Sequence, residues 1–218
     1  MASLVSLPAQ PRATPAWIIV ARLVAVVAGL TCAAQSVHSA EWKLAQLMQA
    51  LEQRGAERAT FVERKFIALL DKPLESSGEL LYVPPARLEK RTLKPKPESV
   101  VLDGGTLTIE RGKQKHSLRL QDYPDIAAFI ESIRGTLAGD RKALERVFRL
   151  ELHGTENRWT LVMFPSDAKL AATVLRIDVT GTRDLVRSVE TLQTDGDRSV
   201  LTVERGTGAA GSAKPAPR

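Results

Sequence analysis

The chain is poor in the residues that most often announce chemistry. It has one cysteine in 218 residues, Cys32, and that lies in the N-terminal leader. The remaining chain therefore offers neither a disulfide framework nor a cysteine metal site. Histidine occurs three times, at His38, His116 and His153. None belongs to a His-x-x-x-His or Glu-x-x-His pairing, so no metal site is expected. There is no Gly-x-Ser-x-Gly elbow and no phosphate-cradling glycine loop. No catalytic group or cofactor is expected, and the chain does not read as an enzyme. Aromatic residues make up 5%, so any pocket must be lined mainly by aliphatic side chains. Such a lining suits flexible acyl chains better than flat ligands.

Excess charge is also scarce. The formal net charge is +6. Arg12, Arg22, Lys214 and Arg218 lie in the terminal segments; without these four, 27 of the 31 cations remain against 25 acids. A balance so close to neutral gives no support for nucleic-acid binding.

What is present begins with a leader. Arg12 precedes a largely apolar run, Trp17 to Ala34, broken by Arg22. Ala34-Gln35-Ser36 and Val37-His38-Ser39 both fit small-x-small cleavage. Residues 1–40 thus read as a signal peptide, cleaved between Ser36 and Ala40. The alternatives are an uncleaved anchor or lipidation at Cys32, although Leu23 to Leu30 is short for a membrane span. No later stretch is apolar and long enough to cross a bilayer. Residues 41–205 read as one domain, and the Gly/Ala/Pro-rich residues 206–218 as a disordered tail.

The body is organised around three consecutive strands: Thr60 to Leu70, Gly78 to Val83 and Ala86 to Leu93. Asp71-Lys72-Pro73 with Glu75-Ser76-Ser77-Gly78 forms the first connection, and Pro84-Pro85 the second. An amphipathic helix, Glu41 to Gln53, precedes them. Asp103-Gly104-Gly105 and Asp195-Gly196-Asp197 are hairpin turns, since they lack the ligand spacing of a calcium loop. Asp122 to Leu137 and Asp140 to Val147 form a central helical insertion. Strands then resume, and Arg158 to Phe164 reads as buried on both faces. Ten or eleven strands joined by short turns call for one antiparallel sheet. A sheet this large curls as its strands twist, leaving a concave face for the helices to cover. The expected fold is mainly β, an incomplete β-barrel with an N-terminal helix and a helical insertion over it.

The order of elements carries a resemblance. Phe61-x-Glu63-x-Lys65 comes first, then Ser76-Ser77-Gly78-x-Leu80-x-Tyr82 and the turn at Pro84-Pro85. A charged strand follows, ending in Lys94-Pro95-Lys96-Pro97. From Glu41 to Arg205 the chain resembles the LolA-type outer-membrane lipoprotein carriers. The resemblance implies an incomplete barrel with a helical lid over a lipid pocket, and a periplasmic location. It also implies partners: an acylated cargo, an inner-membrane donor and an outer-membrane acceptor, the carrier itself being monomeric. Two positions depart from the family pattern. Pro84-Pro85 stands where an Arg-Pro pair is usual, and Lys90 where a pocket aromatic is frequent.

The candidate pocket residues follow from the curvature. Phe66, Leu81, Leu88, Ile109, Leu118, Leu152, Trp159, Leu161, Met163 and Ile177 are placed to point inward. Leu47 of the first helix, with Phe129 and Ile133 of the insertion, would cover them. Arg87, Lys90, Arg91, Lys94 and Lys96 form the densest basic run, the first four being the candidate docking residues. It reads as a solvated edge strand or as a docking strip for a headgroup or acidic partner. The expected function is a carrier of lipoprotein acyl chains or of a related lipid. The alternative is a structural or interaction protein of the envelope, whose concave face is filled by its own side chains. A hydrolase with residues scattered along the chain is a third reading, without sequence support.

Overall fold

A computed structural model describes residues 42–205. The leader and the tail lie outside the described residues.

Eleven strands form one antiparallel sheet. They are β1 (Glu57–Phe66), β2 (Leu74–Val83), β3 (Arg87–Lys94), β4 (Glu98–Asp103), β5 (Thr106–Arg111), β6 (Gln114–Arg119), β7 (Phe148–Thr155), β8 (Arg158–Pro165), β9 (Val174–Thr182), β10 (Leu185–Gln193) and β11 (Arg198–Arg205). The spatial order is β6-β5-β4-β3-β2-β1-β11-β10-β9-β8-β7. Two meanders thus meet along β1 and β11, where Phe61 faces Val203 and Glu63 faces Leu201. β6 and β7 are left as free edges, so the barrel is open, as the sequence pattern predicts.

Among the described residues, four α-helices accompany the sheet: α1 (Leu44–Glu52), α2 (Pro124–Leu137), α3 (Arg141–Glu145) and α4 (Ala168–Ala171). Three of these helix starts have a clear physical cause. Proline opens α2, where its missing N–H is not needed. Asp140 accepts the Ala143 N–H at 2.9 Å to cap α3, and Asp167 accepts from Lys169 and Leu170 to cap α4. In α1, Leu47, Met48 and Leu51 fall on one face and are buried.

That face seals one half of the concave surface. Leu47, Met48 and Leu51 join Leu144, Phe148, Trp159, Leu161, Met163, Leu170, Val174, Ile177 and Val179 in one buried cluster. Full burial of such a side chain contributes about 1.5–3 kcal/mol, so this half is the main source of cohesion. Gly139, just after α2, lies close against α1. Its φ is +63°, and a Cβ there would stand 2.2 Å from the Met48 carbonyl oxygen. Only glycine allows both the left-handed turn and the contact.

Three local expectations are corrected. β2 starts at Leu74, not Gly78, so Ser76-Ser77-Gly78 is strand rather than turn. Gly78 serves a bulge against β3: a Cβ there would meet the Arg91 carbonyl oxygen at 1.9 Å. β1 spans Glu57–Phe66 rather than Thr60 to Leu70, and Leu69 lies beyond it, 94% exposed. β8 is not buried on both faces. Trp159, Leu161 and Met163 are buried, while Thr160, Val162 and Phe164 are only partly so. Phe164 instead carries the Arg149 guanidinium over its ring at 4.3 Å.

Candidate functional site

The other half of the concave face is not filled. β1 directs Ala59, Phe61 and Glu63 inward; Ala59 is 9% exposed, Phe61 2% and Glu63 8%. A carboxylate on an apolar face is costly unless compensated. Here its partners converge from three other strands. Lys90 Nζ on β3 lies 2.6 Å from Glu63 Oε2. The Ser76 hydroxyl on β2 donates to the same oxygen at 3.3 Å. The Ser199 hydroxyl on β11 donates to Oε1 at 3.0 Å. Lys65 Nζ stands 3.9 Å from Oε1. Lys90 also lies over the Phe61 ring, 5.0 Å from its centre. Burial raises the pKa of the Glu63 carboxyl, but the charge and hydrogen bond of Lys90 outweigh it, helped by Lys65 and Ser199. The group is held below its ordinary value and stays ionised.

Two hollows adjoin at this polar patch, sharing Glu63, Lys90, Thr191 and Ser199 in their walls. The first is a greasy chamber of about 210 Å³ beneath α2. Leu80, Tyr82 and Leu88 line it from β2 and β3; Val179, Val189 and Leu201 line it from β9, β10 and β11; Ile133 and Leu137 line it from α2. The second is a wider mouth of about 590 Å³ at the ends of β1, β10 and β11, where Lys65, Phe66, Ile67, Leu170 and Arg198 meet.

The lid over the chamber is latched. Arg134 on α2 donates from Nη1 to the Pro85 carbonyl oxygen at 3.4 Å. Glu131 and Asp140 hold the guanidinium in place. Hydrogen bonding to Glu131 is the largest effect on Arg134, and its pKa is raised despite burial. Where the family pattern has an Arg-Pro pair, this chain has Pro84-Pro85, and Arg134 of α2 reaches that turn. Under this lid the Tyr82 hydroxyl is buried without a hydrogen-bond partner. Burial pushes its pKa up, against the lowering effect of the Arg134 charge.

The predicted pocket residues divide four ways. Leu88 and Ile133 line the chamber, and Phe66 lines the mouth. Leu47, Trp159, Leu161, Met163 and Ile177 belong to the sealed cluster, with Leu152 packed against it. Ile109 and Leu118 share the face of Leu88 by register but lie farther out, on β5 and β6, and line neither hollow. Leu81 points to the convex face, because its neighbours Leu80 and Tyr82 take the concave parity. The side chain of Phe129 lies outside the described residues.

The predicted docking strip does not form one surface. Lys90 turns inward to Glu63, whereas Arg87 and Arg91 share the opposite parity, each within 4 Å of Glu89. Lys94 is exposed at the end of β3. Sequence reasoning missed Glu63 and Tyr82. The available signal was parity: Ala59 and Phe61 alternate with Glu63, so a carboxylate on that face had to be either solvated or paired.

A family described as "Outer membrane lipoprotein carrier protein LolA-like" matches residues 32–217. The chain belongs to this LolA-like family. No curated protein sequence matches it. Among solved structures, a LolA superfamily protein from Nitrosomonas europaea is 10% identical over 74% of this chain and 89% of that one, with a TM-score of 0.40. A chain of the Pseudomonas aeruginosa MucA/MucB complex is 19% identical over 76% of this chain, with a TM-score of 0.42, and the LolA-like chain spans 57% of its length. LprF from Mycobacterium bovis is 13% identical over 80% of this chain and 94% of that one, with a TM-score of 0.35. These likenesses concern the fold alone. Among the described residues, no helix of this LolA-like chain is long and apolar enough to cross a membrane.

Proposed function

We propose that this LolA-like protein is a periplasmic carrier that shelters the hydrocarbon chain of an amphiphile, a lipoprotein acyl chain or a related lipid, on its way to the outer membrane. The observation that carries the reading is the chamber beneath α2, which the protein's own side chains do not fill. Each methylene transferred there from water contributes about 0.8 kcal/mol, so one chain is held firmly yet reversibly. At about 210 Å³ the chamber is below the usual range for ligand pockets of roughly 300–1,000 Å³. It suits one chain, and a bulkier cargo requires α2 to lift. Donor and acceptor proteins on the two membranes complete the scheme, and no covalent bond changes in it.

The test is to express the chain with its own leader, purify the product and analyse bound lipid by native mass spectrometry. The expected result is a co-purifying amphiphile that a fatty acid displaces. Protein that is empty in repeated preparations, and that binds no single-chain amphiphile, overturns the reading. It would leave an interaction protein of the envelope, which the sealed half under α1 favours, since that half is filled by the protein's own side chains.

A further inference from the structure

The wider mouth carries an imbalance of charge. Glu63 is one carboxylate facing two ammonium groups, Lys90 at 2.6 Å and Lys65 at 3.9 Å. Its oxygens are also engaged by Ser76 and Ser199. An incoming cation therefore finds little spare acceptor capacity in Glu63 and meets the two ammonium groups already beside it. An incoming anion finds donors, because an ammonium has three N–H groups and Lys90 directs one at Glu63. The remaining charges on the wall are Asp197 and Arg198. Asp197 accepts the Ala68 N–H at 2.9 Å. Arg198 lies over the Phe66 ring at 4.3 Å and meets Glu190 at 3.3 Å. Glu190 balances Arg198, so the imbalance is local: two ammonium groups, Lys65 and Lys90, face the single carboxylate of Glu63.

From this we infer that the mouth is a headgroup site selective for an anion, a phosphate or a carboxylate, on the amphiphile whose chain occupies the chamber. The inference rests on the carrier reading and specifies its cargo. Charge-assisted hydrogen bonds to Lys65 and Lys90 hold the anion, and Thr191 lies beside them in the wall shared by both hollows. The mouth is open to water, so the attraction is screened by salt.

A same-chain series tests it by calorimetry on the full protein: dodecyl phosphate, laurate, dodecanol and dodecyltrimethylammonium, with inorganic phosphate as a chainless control. The anionic members are expected to bind about tenfold tighter than dodecanol, the cationic member weakest, and phosphate alone far more weakly than dodecyl phosphate. In Lys65→Gln the anionic preference is expected to shrink by about threefold or more, with dodecanol affinity unchanged. Lys65 is 53% exposed, so this variant is expected to keep the fold, to be checked by circular dichroism. Preference for dodecyl phosphate alone assigns a phosphate headgroup; preference for both anions assigns the charge. Equal binding of all four amphiphiles overturns the inference and leaves the carrier reading intact. Binding of none overturns the carrier reading itself. Inorganic phosphate binding as tightly as dodecyl phosphate also overturns the inference, because the site would then be a simple ion site.

Discussion

Lys90 Nζ and Glu63 Oε2 meet at 2.6 Å across β2, joining β3 to β1 on the inner face of the sheet. The carboxylate side chain is 10% exposed and the lysine 29%. Removing one partner of such a pair costs more than removing both, because the survivor is left charged and buried. Lys90→Met is expected to lose about 3 kcal/mol in denaturant unfolding, and Glu63→Leu with Lys90→Met considerably less. A double variant as unstable as the single one would refute this coupling.

The same pair sets an acid limit. The Glu63 pKa is depressed in the folded state, so its stabilisation is complete above the ordinary value of 4.5. It is lost as pH falls below 4.5 toward the lower folded value. Stability measured from pH 6 down to 3 should fall in the wild type, and the fall should be shallower in Glu63→Gln.

Asp178, on the convex face, has the opposite sign. Burial raises its pKa, as does the charge of Glu190, while Arg176 and His153 lower it. One of its oxygens is buried without a partner. A raised carboxyl pKa adds stability as pH falls through the folded value toward 3.8, and that stability is absent at neutral pH. Asp178→Asn is expected to raise stability by about 1 kcal/mol at pH 7, with the gain vanishing near pH 4. A neutral-pH loss would contradict it.

Tyr82→Phe removes a buried hydroxyl that has no partner. Such a deletion is expected to be neutral or stabilising by about 1 kcal/mol. A melting temperature lowered by several degrees would show that the hydroxyl is engaged.

The lid should respond to its latch and its seat separately. Arg134→Met removes the bond to Pro85. It should speed hydrogen exchange in α2 and ligand release while costing about 1 kcal/mol of stability. Gly139→Ala meets both the positive φ and the Met48 carbonyl, and should cost roughly 2–4 kcal/mol. If both variants changed exchange equally, α2 would move with the core rather than as a lid.

The fold was largely legible because strand alternation and turn chemistry are local. Asp103-Gly104-Gly105 and Asp195-Gly196-Asp197 were readable as hairpins from their own residues, and Gly104, Gly105 and Gly196 all have positive φ. The pairing of β1 with β11 was not legible, since no local pattern says which edges of two meanders will meet. The site was read only in part for a related reason. Parity is ambiguous where apolar residues are adjacent, so Leu81 and Leu80 could not be told apart. Division of the concave face was also hidden, because it depends on where α1 lies. The stripe of Leu47, Met48 and Leu51 indicates that a helix packs, not which strands it covers. The Glu63–Lys90 bridge joins residues 27 apart on non-neighbouring strands, beyond the reach of any spacing rule.

The junction at the middle of the sheet has a kinetic meaning. Val62 pairs with Thr202 and Phe66 with Arg198, so the N-terminal meander gains its inner neighbour only after nearly the whole body has been made. Until then each meander shows a sticky flank where the finished sheet is continuous. Zipping such distant segments is slow because a long loop must close first. A chain stopped short of β11 would therefore be two unjoined halves with exposed seams, prone to pairing with copies of themselves.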